Sequence, residues 1–146
     1  MKSRQTCVRE GYRLPADALL PLKIEAGQKA SYQRTFTIDD VRAFAEVSGD
    51  KGIHHMQPDS EGRIMLQGLL TATVPTKLGG DMNYIARQVV FEFVRPVFVG
   101  DTVRCEGVVT RVEPGEGRLN ISMSVVCYNQ DGKEVLRGRT EGIIRL

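Results

Sequence analysis

The sequence predicts an α+β domain in which a curved antiparallel sheet wraps around a central hydrophobic helix. Three observations predict it. The stretch 63–78 carries few charges and many small or apolar residues, as a helix buried on most of its surface does. Four long segments of strand character follow, divided by the turn sequences Val99-Gly100-Asp101, Glu113-Pro114-Gly115-Glu116-Gly117 and Gln130-Asp131-Gly132-Lys133. Before the helix stand one further strand, one amphipathic helix and a polar loop, which together imply two layers around one core.

The elements follow in order. Residues 1–20 lack a period, are punctuated by Pro15, and read as an N-terminal arm in which Leu19 and its apolar neighbours pack on the domain. Ile24-Glu25-Ala26-Gly27-Gln28 reads as a turn. A strand over 30–36 puts Tyr32, Arg34 and Phe36 on one side. Thr37 is a candidate N-cap, and Asp39 and Asp40 fall in the first turn, where the helix dipole favours acids. Val41, Phe44, Ala45 and Val47 supply the apolar positions, and Ser48-Gly49 should end the helix. The loop 50–62 holds both histidines of the chain. The buried helix then spans 63–78, with Pro75 kinking it or closing its last regular stretch. Strands are expected over 85–97, 102–113, 119–128 and 135–144. In the third, Leu119, Ile121, Met123, Val125 and Cys127 alternate with polar residues.

A chain of 146 residues is one domain, 1–146, large enough to bury about 68–70% of its unfolded surface. A 41% hydrophobic and 26% charged composition is that of a soluble globular protein. The net charge of +2 gives no basis for nucleic-acid binding. No apolar run reaches the ~18–20 residues of a membrane span, and the polar start is not a secretory signal. Three cysteines without metal-ligand spacing fit a reduced, cytoplasmic setting, with Cys105 and Cys127 as small core residues.

The chemistry-bearing signal is Asp50 and His55, at either end of Asp50-Lys51-Gly52-Ile53-His54-His55. A carboxylate and an imidazole on one short loop can converge on one water, and imidazole exchanges protons near neutral pH. Taken alone, the same residues also read as a solvated loop in which Asp50 caps backbone amides. Gly68, near the start of the buried helix, adds a backbone N–H open to a polarised carbonyl. The alternative there is a packing glycine. A metal site is not expected: His54 and His55 should point apart, and Asp59 is the other near ligand.

At these residues the chain resembles the MaoC-like (R)-specific enoyl-CoA hydratases. The resemblance runs over roughly 20–144. It is carried by 27–37, by Ile38-Asp39-Asp40-Val41-Arg42-Ala43-Phe44-Ala45-Glu46-Val47-Ser48-Gly49-Asp50, and by Phe91-Glu92-Phe93-Val94-Arg95-Pro96-Val97-Phe98-Val99-Gly100-Asp101-Thr102-Val103. It implies a hot-dog fold paired into homodimers. By the family spacing Asp50 and His55 match the catalytic pair, and Gly68 the oxyanion donor. Thr76 matches a position where many members have a serine near the pocket. Gly52-Ile53 replaces the family's Asn-Pro, and Gln67 its His.

The implied reaction adds water reversibly to a trans-2-enoyl thioester, carried on coenzyme A or acyl carrier protein, to give an (R)-3-hydroxyacyl thioester. The implied partner is this small-molecule thioester, with no cofactor, metal, nucleic acid or membrane. Lys77, Arg87 and Arg95 are candidates for the coenzyme A phosphates. Two other readings remain: a non-catalytic acyl-CoA-binding module, and a hot-dog acyl-CoA thioesterase. Against the thioesterase, 63–78 contains no Asp or Glu to act from the central helix.

Overall fold

The structure is a computed structural model that describes residues 23–146; the expected arm over 1–20 lies outside the described residues. The elements are β1 (Lys29–Thr35), α1 (Ile38–Ser48), α2 (Ile53–Met56), α3 (Gly68–Thr71), α4 (Thr73–Asp81), β2 (Ile85–Phe93), β3 (Thr102–Gly115), β4 (Arg118–Tyr128) and β5 (Glu134–Arg145). The strands form one five-stranded sheet in the order β1-β3-β4-β5-β2, antiparallel at every pairing.

Local chemistry accounts for α1. Thr37 accepts from the Asp40 N–H at 3.3 Å while the Asp40 carboxylate accepts from the Thr37 N–H at 2.8 Å, a complete capping box. Gly49 ends the helix in the left-handed region, φ 75°, and its N–H returns to the Ala45 carbonyl. Val41 and Ala45 are buried, but Val47 is 87% exposed and does not belong to the core stripe. The loop after α1 is also more ordered than the sequence suggests, because 53–56 forms the single turn α2.

The apolar stretch 63–78 is not one helix. Residues 63–67 are extended: the Leu66 N–H donates to the Val97 carbonyl at 2.8 Å, and the Val99 N–H donates to Ile64 at 2.9 Å. Their backbone groups are satisfied by a neighbouring segment, an outcome that apolar composition alone cannot separate from a helix. Helix begins at Gly68 and is interrupted at Ala72, between α3 and α4. Pro75 lacks the N–H that would bind the Thr71 carbonyl, which accounts for a seam at that point.

Leu70, Val74 and Leu78 pack against Val103, Cys105, Val125, Cys127 and Leu136 of the sheet. Leu78 lies over Gly107, where a Cβ would stand 3.3 Å from its Cδ1, so the missing side chain sets the closeness of helix and sheet. Cys105 and Cys127 are cross-strand partners, and both are fully buried. The Cys105 contact and burial push the Cys127 thiol well up, so it remains a protonated core group. A bulge between Val109 and Arg111 follows a stretch of β3 in which Val109, rather than Val108, faces the core. β2, at the sheet edge, leaves Ile85, Val89 and Phe93 exposed.

Candidate active site

The capping that ends α1 delivers Asp50 one residue beyond the left-handed Gly49, and the single turn of α2 delivers His55. The two meet: Asp50 Oδ2 lies 3.5 Å from His55 Nε2. The imidazole is 5% exposed, whereas the carboxylate is 49% exposed and faces solvent. His55 Nδ1 lies 2.7 Å from the Met65 carbonyl oxygen. A carbonyl only accepts, so Nδ1 carries the proton and donates it to Met65. In the neutral ring Nε2 is therefore a lone-pair acceptor turned toward the carboxylate. Two acceptors facing each other this way do not bond to one another. A donor such as water lying beside both can give one O–H to each, and its proton can pass to the imidazole.

The extended strip before α3 carries the other parts. Gln67 is fully buried, and its side-chain amide donates to the Val41 carbonyl at 3.2 Å and to the Asp50 carbonyl at 3.4 Å. Gly68 follows directly, exposed, as the first residue of α3. Its N–H makes no hydrogen bond among the described residues. The nearest group to a Cβ on Gly68 would be the ring of Phe93, at 3.3 Å. So the chain brings Asp50 and His55 together and sets Gly68 beside the residue that holds the Asp50 backbone.

Thr76 stands apart from this group. It lies two turns along, exposed on α4, with its hydroxyl donated to the Ala72 carbonyl at 2.8 Å. It lines a cavity of about 600 Å³ between α4 and the inner face of β2, together with Leu69, Ala72, Val89, Phe91 and Val125. His54 is exposed, but its ring does not point away from His55: the two meet edge to face, centroids 3.9 Å apart. On a single helical turn the His54 ring folds back over Gly52, where a Cβ would come within 3.0 Å of its Cε1. Arg95 donates to the Glu134 carbonyl and belongs to a bend, and Lys77 is paired with Asp81.

Two contributors escape a reading of residue types. The Met65 carbonyl is a backbone group, and any residue there would offer it. Gln67 does leave a signal, a lone amide within the apolar run 64–70, which a core position would not otherwise carry.

No family model matches the chain. The chain is 28% identical over 134 residues to the (R)-specific enoyl-CoA hydratase of Aeromonas caviae, covering 84% of this chain and 96% of that protein. Its structure is similar to the unliganded R-hydratase PhaJ1 of Pseudomonas aeruginosa, with a TM-score of 0.72 at 27% identity, covering 84% of this chain and 82% of that one. A MaoC-like dehydratase from Rhodospirillum rubrum shares the fold at 17% identity, with a TM-score of 0.67, over 84% of this chain and 93% of its own. The antiparallel sheet around α3 and α4 is thus a fold shared with R-hydratases and with a MaoC-like dehydratase, and in sequence the chain is similar to an (R)-specific enoyl-CoA hydratase.

Proposed function

We propose that the protein is a hydro-lyase that adds water reversibly to a trans-2-enoyl thioester, giving an (R)-3-hydroxyacyl thioester. The observation that carries this reading is the facing pair of acceptors, Asp50 Oδ2 and His55 Nε2, with the imidazole tautomer fixed by Met65. A water donating one O–H to each keeps a lone pair free for the β-carbon of the enoyl group.

The balance of the step is simple. The water O–H facing His55 breaks as the new C–O bond forms at the β-carbon. The C=C π pair moves to the α-carbon and the thioester oxygen. The Gly68 N–H stabilises that enolate-like oxygen, and the α-carbon then takes a proton from the same acid–base pair. Because one pair acts on one face of the alkene, the R configuration named for the relatives follows from which face meets Asp50 and His55. Every step runs through these three residues, so the reading calls on no metal or prosthetic group. The apolar cavity of about 600 Å³ takes the acyl chain, within the ordinary ~300–1,000 Å³ of ligand sites. Coenzyme A, the carrier in the Aeromonas caviae relative's name, is the carrier proposed here.

Crotonyl-CoA tests the reading directly. Hydration removes the conjugated absorbance without releasing thiol. Thiol release would instead indicate a thioesterase. Binding without either change would indicate a non-catalytic acyl-CoA module.

A further inference from the structure

Gln67 is a polar side chain with no exposed surface, set in a run of apolar neighbours. A buried amide is costly there unless its hydrogen bonds are made, and an apolar residue would fill the same volume without that demand. Both N–H donors are used on backbone carbonyls: Val41, inside α1, and Asp50, beyond its end. Its Oε1 finds no donor among the described residues. The residue is therefore placed for what its two donors hold.

What they hold is the segment between Gly49 and Gly52. Asp50 follows Gly49 and precedes Lys51-Gly52, so the chain on either side of it includes a permissive hinge. Its N–H binds Ser48 Oγ at 3.0 Å and its carboxylate accepts from the Gly52 N–H at 3.4 Å, both local contacts. Apart from His55 itself, Gln67 supplies the hydrogen bond that ties Asp50 to another part of the fold among the described residues. The same strip that carries Gln67 also carries the Met65 carbonyl that fixes His55. The strip is anchored in turn, because Met65 bridges to Phe98 and Leu66 binds Val97.

We infer that Gln67 is a positioning residue: its side-chain amide holds Asp50 in register with His55, so that acid and base are set from one short strip, 65–67. This deepens the hydratase reading and rests on it. A misplacement of about 1 Å at a reacting group can cost ~10²-fold in rate, so losing this tether should appear in turnover more than in binding.

The test is a pair of variants, Gln67→Met and Gln67→Glu, each made in the wild-type and Asp50→Asn backgrounds. Crotonyl-CoA hydration, thermal melting and the pH profile are followed. Gln67→Met keeps the volume and removes both donors. It should lower kcat about tenfold or more with KM within about threefold of wild type. In the Asp50→Asn background the same change should cost less than about twofold, because there is no carboxylate left to aim. Gln67→Glu offers one donor only when its carboxyl is protonated. Its kcat relative to wild type should therefore rise as pH falls from about 8 to 5.5.

A purely structural glutamine predicts otherwise: a lowered melting point, an equal cost in both backgrounds, and no acid-side gain in Gln67→Glu. Any of these last two results, or a Gln67→Met enzyme within twofold of wild-type kcat, overturns the assignment. If Gln67→Met does not fold, the pH profile of Gln67→Glu decides alone. A wild-type chain that leaves crotonyl-CoA unchanged overturns the hydratase reading, and this inference falls with it.

Discussion

At the scale of single residues, the acid–base pair makes the sharpest demand. Asp50→Asn removes the charge facing His55 Nε2, and His55→Gln removes the base itself, while neither side chain belongs to the apolar core. Each variant should fold and lose at least ~10²-fold in crotonyl-CoA hydration. His54→Gln should cost much less, since His54 makes edge contact with His55 but leaves Nδ1 and Nε2 to Met65 and Asp50. An active His55→Gln beside a dead His54→Gln would reverse the assignment. Gly68 separates two roles as cleanly. The nearest atoms to a Cβ there are those of the half-exposed Phe93 ring, a side chain that can swing aside. Gly68→Val keeps the N–H but puts a branched side chain beside it, so it should keep a near-normal melting point and, by holding the thioester oxygen off that N–H, lose up to the ~10²–10³ in rate that one oxyanion donor supplies. An enzyme that melts early yet turns over normally would make Gly68 a packing residue. Asp50 and His55 were legible in the sequence because one short loop carries both. The tautomer of His55 was not, since it depends on the carbonyl of Met65, which no residue type advertises.

The elements were legible where a stop signal or a strict period marked them. Thr37 and Gly49 bracket α1 as their cap chemistry predicts, and the alternation of β4 runs unbroken from Ile121 to Cys127. The stretch 63–78 was legible as buried but not as extended-then-helical, because Ile64 and Leu66 pair with the distant segment 97–99 and Arg63 and Met65 with the preceding loop. The seam between β2 and β5 was also hidden. A Cβ at Gly138 would come 2.1 Å from the Val90 carbonyl oxygen, and one at Gly142 would come 2.2 Å from that of Ile85. Backbone cannot yield there as a side chain can, so Gly138→Ala must displace β2. Overpacking of this kind costs ~1–3 kcal/mol. Gly107→Ala, whose Cβ would meet side-chain ends alone, Leu78 at 3.3 Å and Met123 and Val125 at 3.8 Å, should cost less. Urea unfolding of the two variants ranks them. Equal midpoints would mean that the β2–β5 seam is looser than this geometry.

At the scale of the whole molecule, the sheet presents one edge that a lone chain leaves poorly protected. β2 pairs with β5 on one side, and its other row of N–H and C=O groups has no strand partner among the described residues. It is nine residues long, against seven for β1 at the opposite edge. Its Ile85, Val89, Val90 and Phe93 side chains are each 39–48% exposed, and Leu69, at 66%, shares the neighbouring cavity wall with Val89. A long apolar edge is an open template for strand pairing. Two copies meeting β2 to β2 about a two-fold axis would close both edges at once and cover Phe93. We therefore expect a homodimer at micromolar concentration, twice the 16.2 kDa of one chain, by sedimentation. Val90→Lys, which puts a charge on that edge, should shift the equilibrium toward monomer. Because the Phe93 ring lies beside Gly68, the interface would border the candidate active site. Monomerisation should then lower hydration in step with the loss of dimer across a dilution series. A wild-type species of 16.2 kDa would remove the edge pairing, and a fully active monomeric variant would detach the site from the interface.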